Sequence, residues 1–178
     1  MKVPREIFVE PSHRDQSYAD HPLPISCDQT ISQPSTVMLM LQLLELKSGQ
    51  RALEIGTGSG YNSALIAELK GDVVTVERHP KLAKIAKGNL KKAGYNDVIV
   101  VKGDGKKGYI PFAPYDRIIV TAATQKVPQQ LTDQLSLGGL LVVPIGPTYR
   151  CEMLTFRKIS SKNFQTNNHG LFSFVPLV

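Results

Sequence analysis

One short stretch of this chain combines residue types and spacing suited to ligand chemistry. Leu53-Glu54-Ile55-Gly56-Thr57-Gly58-Ser59-Gly60-Tyr61 sets three alternating glycines directly after an apolar run. Lacking Cβ atoms, such a loop turns tightly and lets a flat or extended ligand lie against its backbone. A dinucleotide fingerprint, G-x-G-x-x-G, needs its last glycine at position 61, where this chain has Tyr61. Glu54, two places before the first glycine, repels a phosphate but attracts an ammonium group. Glu77 ends the next apolar run, about where a carboxylate accepts from both hydroxyls of a ribose. Asp104, in Lys102-Gly103-Asp104-Gly105, follows the third run and is placed to accept from an adenine amino group. A ligand with an ammonium group, a ribose and an adenine but no phosphate fits this set. S-adenosyl-L-methionine, giving S-adenosyl-L-homocysteine, is that ligand, and Gly56, Thr57 and Gly58 supply the backbone against which it lies.

Metal chemistry and histidine catalysis find no support. Cys27 and Cys151 are far apart and belong to no Cys/His spacing typical of zinc, so no metal is expected. His13, His21, His79 and His169 stand in no catalytic array.

The elements that must position the loop alternate in type. Strands are expected at 51–55, 73–76, 98–101, 116–120, 140–145, 153–159 and 171–175, and helices at 36–46, 61–69, 80–93 and 128–135. Pro80 suits a first helical turn, and Gly138-Gly139 reads as a turn into the strand at 140–145. Residues 1–34, rich in Pro, His, Asp, Ser and Gln, read as an ordered but irregular arm ahead of a core at 35–178. The pattern predicts one α/β domain of three-layer, Rossmann-like methyltransferase type, a mostly parallel seven-stranded sheet with helices on both faces. Ligands of such sheets bind beyond the carboxyl ends of the strands, where the topology reverses.

Composition agrees with this. The chain has 178 residues, 42% apolar and 20% charged, a balance that is neither disordered nor membrane-like. No apolar run spans a bilayer and no signal peptide is evident, so a cytoplasmic protein without membrane association is expected. The net charge of +6 permits a nucleic-acid partner. Lys81, Lys84, Lys87, Lys91 and Lys92, however, fall at helical spacing and read as one solvated helix face.

Several further segments carry a family likeness: Val3-Pro4-Arg5, Tyr18-Ala19-Asp20, Gln29-Thr30-Ile31-Ser32-Gln33-Pro34, Val76-Glu77-Arg78, Gly103-Asp104-Gly105, Ala113-Pro114-Tyr115-Asp116, Val120-Thr121-Ala122-Ala123 and Phe174-Val175-Pro176-Leu177. With the glycine loop, they make the chain resemble the protein-L-isoaspartate (D-aspartate) O-methyltransferases. The resemblance implies Ser32 as the active-site residue, with Thr30 and Ile31 beside the cofactor. It implies cofactor contacts at Thr30, Ile31, Ser32, Glu54, Gly56, Glu77, Arg78, Asp104 and Gly105, and peptide contacts at Ala122, Ala123, Val175 and Pro176. The implied partners are age-damaged proteins and peptides carrying isoaspartyl residues, methylated on the free carboxylate by a monomer. A carboxylate is already ionised at pH 7, its reference pKa being about 4, so no general base has to create the nucleophile.

The chain also departs from the family pattern. It begins almost at Val3-Pro4-Arg5, where the family usually carries a helix first, and it stops at Val178. Ser26-Cys27-Asp28 replaces a Gly-His-Gly-like run, and Asp28 is expected to weaken peptide binding by bringing a negative charge near a carboxylate site. Two rivals stay open. One is an RNA methyltransferase of the same fold, although Thr121-Ala122-Ala123-Thr124 stands where an Asn-Pro-Pro-Tyr-like motif belongs. The other is a non-catalytic adaptor that binds isoaspartyl segments.

Overall fold

Apolar runs without alternation become strands buried on both faces, and such runs form the middle of the molecule. The computed structural model describes residues 2–177. A hairpin of β1 (Leu23–Ile25) and β2 (Gln29–Ile31) precedes α1 (Pro34–Leu44). There follow β3 (Arg51–Ile55), α2 (Tyr61–Glu68), β4 (Asp72–Glu77), α3 (Pro80–Lys92), β5 (Ile99–Lys102), β6 (Tyr115–Val120), α4 (Gln129–Gln134), β7 (Leu135–Ile145), β8 (Cys151–Lys158) and β9 (Phe164–Phe172).

One seven-stranded sheet runs in the order β5-β4-β3-β6-β7-β8-β9. The strands from β5 to β7 are parallel, and β8 and β9 are added antiparallel. This is the Rossmann-like architecture expected, with the order of the last two strands now defined. The chain leaves β3 toward β4 and β5 on one side and returns to β6 and β7 on the other. A crevice therefore opens at the carboxyl ends of β3 and β6.

Successive residues of β3 face opposite layers. Ala52 packs with Met40 and Leu41 of α1, Ala64 of α2 and Leu82 of α3, whereas Leu53 and Ile55 pack with Leu131 of α4. Three helices thus cover one face, and a short helix with irregular turns covers the other. Proline begins both α1 and α3, where its missing N–H costs no hydrogen bond. On α3, Leu82, Ala83, Ala86 and Leu90 are buried while the five lysines face solvent. No helix among the described residues is long and apolar enough to cross a membrane.

Three expectations change. The arm contains a regular hairpin, whose turn holds Cys27 and Asp28 at φ 64° and 55°, a left-handed backbone rarely taken by residues with a Cβ. Gly138-Gly139 does not precede β7 but lies within it: Tyr115 faces Leu135 and Arg117 faces Leu140, so residues 136–139 form a bulge. The last strand lies earlier than its apolar content suggested, at Phe164–Phe172. Residues 173–177 instead form a strap, with Phe174 N–H donating to Thr148 O (2.9 Å), Ala123 N–H to Val175 O (2.8 Å) and Leu177 N–H to Ala123 O (2.7 Å).

Candidate active site

The glycine loop leaves β3 with Gly56 at φ +94°, and a Cβ built there would stand 2.5 Å from Thr121 Oγ1. Thr121 fixes that spacing by donating from its hydroxyl to Gly56 O (2.7 Å) and Ile55 O (3.0 Å). Beside the loop, Glu77 is held by two backbone amides: Gly58 N–H donates to Oε2 (2.9 Å) and His79 N–H to Oε1 (2.8 Å). A carboxylate oxygen has two lone-pair sites, so both oxygens keep acceptor capacity. The cavity at this point is bordered by Gly56, Gly58, Glu77, Arg78 and Gly105, with Thr30 opposite.

A second cavity lies on the other side of the loop, bordered by Thr57, Tyr61, Asn62, Ile31, Ser32 and Glu54. Glu54 is 0% exposed and pairs across the sheet with Thr75. Its Oε2 accepts from Ser63 Oγ and from Thr75 Oγ1 (2.7 Å), and its Oε1 from Asn62 Nδ2 (2.9 Å). Thr57 Oγ1 extends the network to Thr75 at 2.7 Å. Burial pushes the Glu54 carboxyl up to about 7, against the opposing pull of its hydrogen bonds.

A third, open groove is bordered by Ser32, Thr36, Tyr149, Val175 and Pro176. Thr30 and Thr121 border all three cavities, and Ser32 stands between the second and third. The N-cap of α1 is Gln33, not Ser32, and its side chain does not bond the helix amides. Asp20 Oδ1 takes that part from the arm, accepting from Ser35 N–H at 2.9 Å. Ser32 Oγ makes no hydrogen bond among the described residues. Its carbonyl accepts from Nη2 of Arg5 at 2.8 Å.

The family model for protein-L-isoaspartate(D-aspartate) O-methyltransferase matches residues 1–178. The chain belongs to that family. It is 47% identical to a protein-L-isoaspartate O-methyltransferase of Pyrococcus horikoshii, over 100% of this chain and 82% of the relative. Among solved structures, a protein-L-isoaspartate O-methyltransferase superposes with a TM-score of 0.86 at 35% identity, covering 98% of this chain. The chain spans only 58% of that longer molecule. A Plasmodium falciparum protein assigned to the same enzymes, solved with S-adenosyl-L-homocysteine, gives a TM-score of 0.89 at 25% identity over 99% of this chain and 87% of its own.

The residues singled out by the glycine loop and by the protein-L-isoaspartate O-methyltransferase likeness do not all meet. Thr30, Ile31, Ser32, Glu54, Gly56, Thr57, Gly58, Glu77, Arg78 and Gly105 border the two cavities flanking the loop or the groove that adjoins them. Asp104 does not border them; it is exposed and accepts from Lys106 N–H at 3.0 Å, capping a 3-10 turn. Val175 and Pro176 border both the groove and the Glu77 cavity, whereas Ala122 borders only the latter. Ala123 is 4% exposed and borders neither, acting as the backbone partner of the strap. Asp28 is an exposed hairpin-turn residue and borders none of the three.

Sequence reasoning overlooked Thr121, Asn62, Tyr149 and the contacts of Arg5. Thr121 had a usable signal, being the first polar residue after a buried parallel strand. Asn62 and Tyr149 had none, since a polar helix start and a loop tyrosine occur throughout proteins.

Proposed function

We infer that this chain is a protein-L-isoaspartate O-methyltransferase, an S-adenosyl-L-methionine-dependent enzyme. It methylates the free carboxylate of L-isoaspartyl or D-aspartyl residues in damaged proteins and peptides. The observation that carries the reading is the meeting of two cavities around a glycine loop with an open groove, at a serine whose hydroxyl is unengaged. The residues present fit the cofactor: a doubly held carboxylate at Glu77 suits two ribose hydroxyls, and an acid beside a small cavity suits an ammonium group.

When bound, S-adenosyl-L-methionine supplies a methyl group on a positively charged sulfur, which an ionised carboxylate oxygen can displace. Glu77 accepts from the ribose hydroxyls, and Gly56 and Gly58 let the ligand approach the backbone. Arg78 and Gly105 border the adenosine side. Glu54, Thr57 and Asn62 form the wall for the amino-acid end. Ser32 donates from its free hydroxyl to the acceptor carboxylate, orienting it rather than forming a bond to it. Thr30 and Ile31 separate the two reactants from solvent, Val175 and Pro176 wall the acceptor side, and Ala122 closes the Glu77 cavity behind them. Positioning of this kind, with water excluded, supplies the acceleration where no proton must be removed. The neighbouring peptide nitrogen then attacks the ester carbonyl and expels methanol, closing a succinimide that water hydrolyses partly to normal aspartate. The chain is proposed to work as a single-domain monomer in the cytoplasm, without nucleic acid or membrane.

Radiolabelled methyl transfer to an isoaspartyl peptide, its normal aspartyl twin and bulk tRNA tests this. Label on the isoaspartyl peptide alone is expected; label on tRNA, or on nothing, replaces the reading with one of its rivals. Ser32→Ala is expected to lower kcat by about ten- to a hundredfold, the usual loss of one positioning hydrogen bond to a charged group. Its affinity for S-adenosyl-L-homocysteine should fall by less than kcat does, since Ser32 borders the cofactor cavity as one residue among many.

A further inference from the structure

Arg5 is the largest fully buried side chain of the molecule, 0% exposed, although it belongs to the arm. Its guanidinium is fixed on three sides. Nε donates to Ser17 O (2.7 Å), Nη2 donates to Ser32 O (2.8 Å), and Cζ lies 4.8 Å from the centre of the Tyr61 ring. Nη1 is buried with no hydrogen-bond partner. No carboxylate among the described residues forms an ion pair with Arg5. Two carboxylates of the same arm are otherwise engaged: Glu6 accepts from Tyr18 Oη, and Asp20 caps α1.

A buried cation without a counter-ion is costly, and burial here pushes the arginine pKa below its usual value. Guanidinium groups nevertheless remain charged in proteins. The arrangement therefore places a buried positive charge directly behind Ser32, with no carboxylate in contact and Asp20 acting on it only from a distance, in surroundings where water screens it little. Arg5 borders none of the three cavities, so it does not touch a ligand there.

We propose that Arg5 is a positioning residue for the acceptor carboxylate: it fixes the Ser32 backbone against Tyr61, and its charge is balanced across Ser32 when a negatively charged substrate group docks. The inference rests on the carboxyl methyltransferase reading above. It explains why the groove itself needs no exposed basic side chain to receive an anion. It also assigns the Val3-Pro4-Arg5 segment a part in acceptor selection in addition to packing.

The test compares binding of an isoaspartyl peptide with that of its isoasparaginyl twin, identical in shape but neutral at the acceptor. Both are titrated into the full chain saturated with S-adenosyl-L-homocysteine. Wild type is expected to favour the carboxylate by about tenfold, the scale of one weakly screened charge. Arg5→Met should bring that ratio close to one, and Arg5→Lys should retain most of it while raising the peptide KM through loss of the fork. Affinity for S-adenosyl-L-homocysteine is a separate readout, since Arg5 packs on Tyr61, which borders the second cavity; the carboxylate-to-amide ratio, taken at saturation, is the deciding quantity. If Arg5→Met does not fold, Arg5→Gln supplies the same comparison, because its amide still donates to a carbonyl while carrying no charge. An unchanged ratio in a folded neutral variant overturns the proposal, even if activity falls, because packing damage alone does not distinguish carboxylate from amide. A wild-type chain that fails to methylate the isoaspartyl peptide overturns the underlying reading instead.

Discussion

The cofactor wall and the acceptor wall of this molecule are built in opposite ways. On the cofactor side each key polar group is already bonded: Glu77 accepts from two amides, Glu54 from three side chains, and Thr121 spans two carbonyls. On the acceptor side Ser32 Oγ is free, Tyr149 is 78% exposed, and the wall hangs from main-chain bonds and from an arm at the far end of the chain. One wall is organised before a ligand arrives, which limits the ordering cost of binding. The other leaves its hydrogen-bonding capacity for a varied partner.

Changes to the cofactor wall should strike hardest. Gly56→Ala adds a Cβ against a bonded hydroxyl at a left-handed position, combining backbone strain with overpacking. A loss of roughly 4 kcal/mol is expected in urea denaturation, with S-adenosyl-L-homocysteine affinity falling more than tenfold. Affinity within twofold of wild type breaks the contrast between the walls.

Glu54→Gln acts next, through pH. The folded-state carboxyl is raised from 4.5 to about 7, so the fold favours its neutral form. That contribution, on the order of 3 kcal/mol, is fully present below pH 4.5 and is lost as pH rises through about 7. The stability difference between wild type and Glu54→Gln should therefore shift against wild type across that window and level off above it. Calorimetry at stepped pH reads this directly, and a flat difference removes the titration. The same group gives wild-type affinity for S-adenosyl-L-homocysteine a rise toward pH 7 that the glutamine variant lacks, because an ammonium group prefers the ionised acid.

On the arm, smaller effects with a different signature are expected. Asp20→Ala removes the cap of α1 and should cost about 1 kcal/mol, raising the peptide KM while leaving cofactor affinity alone. If both constants move together, the walls are not independent. Asp28→Gly relieves a left-handed backbone in the hairpin turn and should raise the melting midpoint slightly, by about 0.5 kcal/mol of stability.

The same division explains what could be read from residues alone. The cofactor wall is local in the chain, a strand, a loop and the next strand end, so spacing between Glu54, Gly56 and Glu77 was enough to locate it. The alternation of apolar runs likewise defined the sheet. The acceptor wall depends on contacts that local patterns do not encode: Arg5 reaches Ser32 across 27 residues and Asp20 reaches Ser35 across 15. The Tyr18-Ala19-Asp20 and Val3-Pro4-Arg5 segments could be noticed, but not the backbone atoms they would hold. β9 was displaced because Gln165, Asn167 and Asn168 make it a polar, exposed edge strand with little apolar signal. Asp104 shows a different case, a residue at a strand end whose Oδ1 also closes a turn, a contact that residue type and position do not foretell.

The strap beside Ala123 has a consequence for how this groove can change over generations. Its bonds to Thr148 and Ala123 run through main-chain atoms; Phe174 is buried in the core and Leu177 packs against it, whereas Val175 and Pro176 border the groove. The course of the strap thus depends little on the side chains at Val175 and Pro176. Mutation can alter the width and polarity of this wall without first rebuilding its backbone, so acceptor preference is the property of this enzyme most open to drift.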